Sequence, residues 1–167
     1  MKVIETERLV LRQLTLSDAE FIFELLNEEP FLRFIGDKGV RSLGDARAYL
    51  AKGPLDSYEQ HGFGLYAACL RDGTPIGICG LVKRERLADV DVGFAFLSRY
   101  CSMGYAVESA SAVLVHGRKV LRLQRIVAIT SPDNAGSIAV LEKIGLKFER
   151  MIRLAEHSPE LKLFGPA

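Results

Sequence analysis

The spacing of apolar residues predicts an opening strand or strand pair and two helices in the first third of the chain. Short apolar runs at residues 3–4 and 9–11 are typical of strands. The motif Ser17-Asp18-Ala19-Glu20 matches a capping box, which begins a helix that continues to Leu26. A second helix is predicted for Ser42 to about Leu50, because apolar residues recur there at spacings of three and four. The segment between the two helices is predicted to be a loop.

The middle of the chain has the pattern of an antiparallel β-sheet. Residues 63–70 and 76–82 are mainly apolar, and the Asp-Gly turn between them predicts a β-hairpin. A third apolar stretch at residues 90–97 follows the charged run Lys83–Arg86, which we interpret as a solvated strand end. The three strands are expected to form an antiparallel meander.

The last third of the chain alternates between helices and strands. Residues 105–120 are rich in alanine and valine and predict a closely packed helix. The β-branched residues 125–130 predict a strand, and residues 131–145 predict a helix that ends at a glycine. Two more strands are predicted at residues 148–154 and 161–164. The whole order predicts a mixed α+β fold around one sheet.

Composition limits the partners that the protein can have. The length of 167 residues fits one globular domain, residues 1–167. A net charge of +1 gives no basic surface for nucleic acid, and no stretch approaches the about 18 apolar residues of a membrane span. The three cysteines and three histidines have no spacing that suggests disulfides or a metal site. We therefore expect a cytoplasmic protein that uses no metal and binds neither nucleic acid nor membrane.

The connection from Arg99 to Ala106 is the main candidate for ligand binding. It joins a predicted strand to the first turn of a predicted helix, where unpaired backbone amides and the helix dipole favour an anion. Gly104 would let a ligand approach the backbone closely. The alternative is an ordinary strand-to-helix connection, since the glycine spacing of dinucleotide-binding and Walker motifs is missing.

Three polar residues have both a structural and a functional interpretation. Asn134 and Ser137 can cap the helix that they begin, yet both lie at the same end of it. Asp91 lies in an otherwise apolar strand, so it either faces solvent or lines a pocket as a base. The sequence pattern leaves these alternatives open.

The order of elements and several motifs resemble the GNAT superfamily of N-acetyltransferases. Two of the motifs are Met103-Gly104-Tyr105-Ala106-Val107-Glu108 and the segment 133–149, which begins Asp133-Asn134-Ala135-Gly136-Ser137. The start Glu5-Thr6-Glu7-Arg8-Leu9-Val10-Leu11-Arg12, the pair Asp18-Ala19 and the strand Ile76-Gly77-Ile78-Cys79-Gly80-Leu81 are similar to the branch that includes ribosomal-protein N-terminal acetyltransferases. The similarity spans nearly the whole chain.

The resemblance implies a mostly antiparallel sheet with helices on both faces and acetyl-CoA as cosubstrate between two splayed parallel strands. The pantetheine arm would pair with backbone near Phe96 and Leu97 and contact Asn134. Ser137 would lie near the sulfur as the acid for the departing thiolate, and Asp91 matches an acidic position that assists deprotonation of the amine. The pyrophosphate would meet the amides of the loop, at Ser102, Met103, Gly104, Tyr105 and Ala106.

The loop departs from the family pattern at two positions. The family commonly has Gln or Arg where this chain has Cys101, and often a glycine where it has Ser102. The first departure removes a side chain and leaves the backbone amide. The second restricts the backbone conformations that are open to residue 102.

The resemblance also implies direct attack of a neutral amine on the acetyl thioester. An α-amine with a pKa of about 8 is roughly a tenth neutral at pH 7, and a lysine amine is far less so. This favours an acceptor with an amine of low pKa, either a protein or peptide N-terminus or a small molecule. The alternative function is a non-catalytic acyl-CoA-binding or regulatory module with the same fold, and the protein is expected as a monomer or a homodimer.

Overall fold

The computed structural model describes all 167 residues, which form a sheet of eight strands flanked by helices. The spatial order of the strands is β1-β2-β3-β4-β5-β6-β8-β7, and every neighbouring pair is antiparallel except β5 and β6. The predicted meander is confirmed as β3, β4 and β5, and the opening runs form two strands. The strands are β1 Lys2–Glu5, β2 Leu9–Gln13, β3 Leu65–Leu70, β4 Pro75–Val82, β5 Val90–Phe96, β6 Ile126–Thr130, β7 Leu146–Ile152 and β8 Leu161–Pro166.

Six α-helices connect these strands, two more than the sequence pattern predicts. The segment predicted as a loop contains α2, and Pro30 lies in its first turn, where a missing N–H removes no helical hydrogen bond. A π-helical turn at Ala51–Leu55 joins α3 directly to the second additional helix, α4. The helices are α1 Ala19–Leu26, α2 Glu29–Phe34, α3 Leu43–Leu50, α4 Asp56–His61, α5 Tyr105–Lys119 and α6 Ala135–Lys143.

The capping box before α1 uses different residues from those predicted. The Thr15 hydroxyl accepts a hydrogen bond from Ser17 N–H at 3.2 Å, and the Asp18 carboxylate accepts one from Thr15 N–H at 2.8 Å. Asp18 also forms an ion pair with Arg12 at 2.8 Å. The predicted pair of Ser17 and Glu20 is therefore wrong, because Asp18 is held by both the cap and Arg12.

Two apolar cores lie on opposite faces of the sheet. On one face, α5 and α6 pack through residues such as Ala110, Val113, Leu114 and Leu141. On the other face, α1, α2 and α3 pack through residues such as Ile22, Phe31 and Leu50. The expectation of a mixed, mostly antiparallel sheet with helices on both faces is confirmed.

The structure contains no helix with the length and apolar character that crossing a lipid bilayer requires. It also contains no group of three or more His, Cys, Asp or Glu side chains placed to hold a metal ion.

Gly80→Ala is expected to lower the free energy of unfolding by about 2–3 kcal/mol. A Cβ at this position would lie 2.1 Å from the Gly64 carbonyl oxygen and 2.8 Å from Leu65 Cα, and this backbone is held by the pairing of β3 with β4. Gly44→Ala is the control, since the nearest atom to its Cβ would be Ser42 Oγ at 3.7 Å. Urea unfolding of both variants measures the difference, and equal stability would contradict the prediction.

Candidate active site

A gap in the sheet opens between β5 and β6. The two strands pair at only two positions, Val90 with Ile126 and Asp91 with Val127. Both strands then continue, β5 to Phe96 and β6 to Thr130, without pairing to each other. The predicted splayed pair of parallel strands is therefore confirmed, and the gap opens towards the carboxyl ends of both strands.

Alternate residues of β5 present free backbone groups to this gap. Leu97 N–H donates to the Ile76 carbonyl at 2.9 Å. Every second residue before it therefore also bonds to β4, namely Ala95, Gly93 and Asp91. The N–H and C=O groups of Phe94 and Phe96 consequently face β6 across the gap, whereas the Val92 N–H belongs to the last paired position, opposite Val127. The side of β5 that faces the gap is therefore long enough to pair with an extended ligand.

Leu97 does not have the free backbone groups that its predicted role needs. Its N–H is donated to Ile76, and its carbonyl accepts a hydrogen bond from Tyr100 N–H at 2.9 Å. Its side chain is buried in the core beneath α1 and α3. Of the predicted pair, only Phe96 presents its N–H to the gap.

The loop after β5 leads into a helix whose first turn has no side-chain cap. Gly104 occupies the N-cap position of α5 in the left-handed conformation, with φ +84°. The first hydrogen bond of this helix runs from Glu108 N–H to the Gly104 carbonyl, and the amides from Ser102 to Val107 have no partner. Unpaired amides at a helix N-terminus bind anions well. The first turn of α5 therefore suits an anion, and contact of a pyrophosphate with Ser102, Met103, Gly104, Tyr105 and Ala106 stays a prediction.

Ser102 has a backbone conformation that normally favours glycine. Its φ is +64°, one of only two positive φ values at non-glycine residues in the protein. The left-handed region costs an L-residue roughly 1–2 kcal/mol. The family that this chain resembles often has glycine at this position. Ser102 keeps a backbone conformation typical of glycine, so the loop is strained at this residue.

Three residues, which we call the N-terminal clamp, hold the loop and the first turn of α5: Thr6, Arg8 and Glu108. Arg8 donates from Nε to the Glu108 carboxylate at 2.7 Å and from Nη1 to the Met103 carbonyl at 2.9 Å, with its guanidinium 4.4 Å from the Tyr105 ring centroid. The Thr6 hydroxyl donates to Glu108 at 2.6 Å. Burial raises the pKa of Glu108, but these hydrogen bonds outweigh it and leave the pKa below its usual value.

The N-terminal clamp compensates the negative charge of Glu108 beside the unpaired amides of the loop. A carboxylate in the first turn of α5 would repel a phosphate at the same place. Arg8 neutralises Glu108 and extends Nη2 to within 3.1 Å of the position that a Cβ on Gly104 would occupy. Sequence analysis missed this role of Arg8, although the residue belongs to the opening motif, because the contact joins residues about a hundred positions apart.

Asn134 and Ser137 lie at the start of α6. The Asn134 side-chain oxygen accepts a hydrogen bond from Ser137 N–H at 3.1 Å, which makes Asn134 the helix cap. Its side-chain nitrogen and the Ser137 hydroxyl form no hydrogen bond within the protein, so both remain free for a ligand. α6 follows β6 and packs against α5. Both helices therefore begin beyond the carboxyl ends of the two strands that border the gap.

Asp91 is buried rather than exposed to solvent. Its exposed fraction is 1%, and Arg84 Nε donates to its carboxylate at 2.8 Å. Burial raises the pKa of Asp91, and the charge of Arg84 opposes this rise. The interpretation of the run Lys83–Arg86 as a solvated strand end is therefore wrong for Arg84, which is half-buried against Asp91.

Asp91 and Ser137 approach the gap from opposite faces of the sheet. Side chains alternate along β5, so Asp91 shares a face with Ala95 and Leu97, which pack against the core of α1 and α3. Ser137 belongs to α6, whose Ile138 and Leu141 pack against the core on the α5 face. The structure does not bring the two residues into contact, and the gap lies between them.

Comparison with known proteins identifies the family. Residues 8–147 match the family model of the acetyltransferase (GNAT) domain. The chain belongs to this family. The uncharacterized N-acetyltransferase YnaD of Bacillus subtilis is 31% identical over 147 residues, which cover 87% of this chain and 83% of YnaD. YoaA of the same bacterium, also named an N-acetyltransferase, is 30% identical over 155 residues, which cover 90% of this chain and 86% of YoaA.

Solved structures agree with this placement. A GNAT-family acetyltransferase from Bacillus anthracis has a TM-score of 0.80 at 26% identity, with 99% of this chain and 97% of that chain covered. The ribosomal-protein alpha-N-acetyltransferase RimL, in complex with coenzyme A, has a TM-score of 0.83 at 18% identity, with the same coverage of both chains. The GNAT fold and the expectation of an acyltransferase enzyme are confirmed.

Ser102→Val is expected to weaken binding of coenzyme A to this GNAT domain about tenfold, because a β-branched residue is strained at a positive φ. Ser102→Gly is the matched variant, and its affinity is expected to equal or exceed that of the parent. Isothermal titration calorimetry with coenzyme A measures both. Equal affinities for the valine and glycine variants would show that the loop amides do not hold the ligand.

Proposed function

We propose that this GNAT protein transfers an acetyl group from acetyl-CoA to a primary amine, with residues 1–167 as one catalytic domain. The observation that carries the proposal is that two sets of free backbone donors flank one short turn. The gap edge of β5 ends at Phe96, and the unpaired amides at Ser102–Val107 follow the turn Ser98–Tyr100. Such an arrangement suits a ligand with an extended amide-bearing arm and a pyrophosphate.

Different groups of the protein bind the pyrophosphate and the pantetheine arm of acetyl-CoA. Amides of Ser102, Met103, Gly104, Tyr105 and Ala106 hold the pyrophosphate, with Arg8 adding positive charge beside them. The gap edge at Phe94 and Phe96 pairs with the amide groups of the pantetheine arm. The free side-chain nitrogen of Asn134 donates to the same arm from the opposite border of the gap.

Acetyl-CoA supplies an activated acetyl thioester. The amine nitrogen forms a bond to the acetyl carbon, and the bond from that carbon to sulfur breaks, without any covalent bond to the protein. Asp91 accepts the proton that the attacking amine loses, since its raised pKa makes its carboxylate a stronger base. The gap-facing N–H of Phe94 stabilises the carbonyl oxygen. The Ser137 hydroxyl gives a proton to the departing sulfur and regains one from water, and Asp91 releases its proton to water.

The acceptor is proposed to have an amine of low pKa. A protein or peptide N-terminus fits this requirement, and the opening motif is similar to the ribosomal-protein branch of the family. The structural likeness to RimL is compatible with that branch. Three cysteines without disulfides support a cytoplasmic site for the reaction.

The proposal is tested by acetyl-CoA-dependent release of thiol with a broad panel of amines, which includes peptides with free N-termini, small amines and lysine side chains. We expect turnover with at least one α-amine and formation of the acetylated product, checked by mass spectrometry. Tight binding of acetyl-CoA without turnover on any amine would instead support a non-catalytic module.

Ser137→Ala is expected to lower kcat about 100-fold, because proton transfer to the leaving group then depends on water. The dissociation constant for acetyl-CoA should change by less than about threefold. Ser111→Ala, at a half-buried position of α5, is the control and should retain the parental kcat. An equal loss of binding and turnover in Ser137→Ala would assign Ser137 to cofactor binding and not to acid catalysis.

A further inference from the structure

The short helix α2 crosses the open end of the gap between β5 and β6. Its start lies at β5, because the Glu28 carboxylate accepts hydrogen bonds from Ser98 N–H at 2.8 Å and from Ser98 Oγ at 3.1 Å. Its last turn lies at β6, because the Ser131 hydroxyl donates to the Phe34 carbonyl at 3.1 Å. Ser98 and Ser131 come just after the two strands that border the gap, so α2 joins one border to the other.

Both anchors of α2 use polar groups that the helix itself leaves free. Glu28 occupies the N-cap position, yet its side chain makes no hydrogen bond to the first turn of the helix. The Phe34 carbonyl lies in the last turn, where carbonyls have no partner inside a helix. The two ends of α2 are therefore bonded to the borders of the gap and not to the helix itself.

Few other contacts hold α2 in this position. Phe31 is its one buried residue, and the ion pair of Arg33 with Asp133, at 4.0 Å, is exposed and therefore weak. The segment that contains α2 is closed at its base by Asn27, whose side-chain amide donates to the Val40 carbonyl at 3.0 Å. The placement of α2 across the gap consequently depends on the anchors at its two ends.

The length of α2 matches the width that an inserted ligand needs. Neighbouring strands lie about 4.8 Å apart, so a gap that admits one extended chain is about 9.6 Å wide. The six residues of α2, with a rise of about 1.5 Å each, extend over about 9 Å. Because hydrogen bonds along a helix fix its length, a helix anchored at both ends keeps the two borders at nearly constant separation.

We propose that α2 is a spacer that holds the carboxyl ends of β5 and β6 one strand's width apart, with Glu28 and Ser131 as its positioning residues. The gap is then open before the ligand arrives, and the pantetheine arm enters without first separating the strands. A site that is already ordered binds more tightly, because less ordering accompanies binding. This inference rests on the proposed binding of acetyl-CoA in the gap.

The test separates the pantetheine arm of coenzyme A from its nucleotide. Isothermal titration calorimetry is performed with coenzyme A and with 3′-phospho-ADP, which keeps the two linked phosphates and lacks the arm. Glu28→Ala and Ser131→Ala should each weaken binding of coenzyme A about fivefold to tenfold, as loss of one anchoring hydrogen bond permits. Affinity for 3′-phospho-ADP should change less than about twofold, because the amides at Ser102–Val107 are not part of the spacer.

Two further variants serve as controls for the anchors. Glu29→Ala removes the same charge from an exposed neighbouring position of α2, and its affinity for coenzyme A should equal that of the parent. Ser131→Thr keeps the hydroxyl and should bind coenzyme A as the parent does. Retained binding of 3′-phospho-ADP shows in addition that each variant is folded.

The double variant Glu28→Ala/Ser131→Ala tests whether the two anchors act as one device. A spacer works only while both ends are fixed, so removal of the second anchor should add little, and the total loss should stay near tenfold. Two independent contacts would multiply their effects to a loss of about 25-fold to 100-fold.

The outcomes distinguish this inference from the proposed acetyl transfer. Parental affinity for coenzyme A in either single variant, an equal loss for 3′-phospho-ADP, or a multiplied loss in the double variant would overturn the spacer and leave acetyl transfer intact. The expected losses without turnover on any amine would support the spacer and overturn acetyl transfer. If the parent protein does not bind coenzyme A, both proposals fail.

Discussion

The site depends on the early end of the pairing between β5 and β6. After Asp91 and Val127 the two strands separate, and β6 continues to pair with β8 on its other side. The inner edge of β5 thus keeps backbone donors and acceptors that a continuous sheet would satisfy internally. Unpaired edge groups inside a sheet are unfavourable unless water or a ligand bonds to them. A ligand that pairs with this edge restores the missing strand interactions.

Strand geometry also separates the two proton transfers of the proposed reaction. Because side chains alternate along β5, Asp91 reaches the face covered by α1 and α3, while α6 brings Ser137 to the other face. The group that takes a proton and the group that gives one are consequently kept apart by the gap. A base and an acid at such a separation do not neutralise each other by direct hydrogen bonding, so each keeps the protonation state that its step needs.

The sequence pattern predicted most of the sheet and four of the six α-helices, and the motifs indicated the family by resemblance, but neither predicted the contacts that depend on register. Apolar runs and the Asp-Gly turn were sufficient for β3 to β5, whereas α2 and α4 are too short for a helical period to emerge. Thr15-Asp18 and Ser17-Glu20 have the same spacing, and only Arg12 decides between them. The pairing of Arg84 with Asp91 and the hydrogen bond from the Leu97 N–H to Ile76 both depend on strand register, which no local pattern encodes.

Cys101 has a practical consequence for experiments on the loop. Cys69 and Cys79 are buried, so Cys101 is the accessible thiol, and it immediately precedes Ser102. Burial and the charge of Glu28 raise the pKa of Cys101, so its thiol reacts more slowly than a free cysteine. A fluorescent or paramagnetic label would therefore attach at one native position, without engineered cysteines. Its mobility would report, in real time, how a bound molecule changes the motion of the loop.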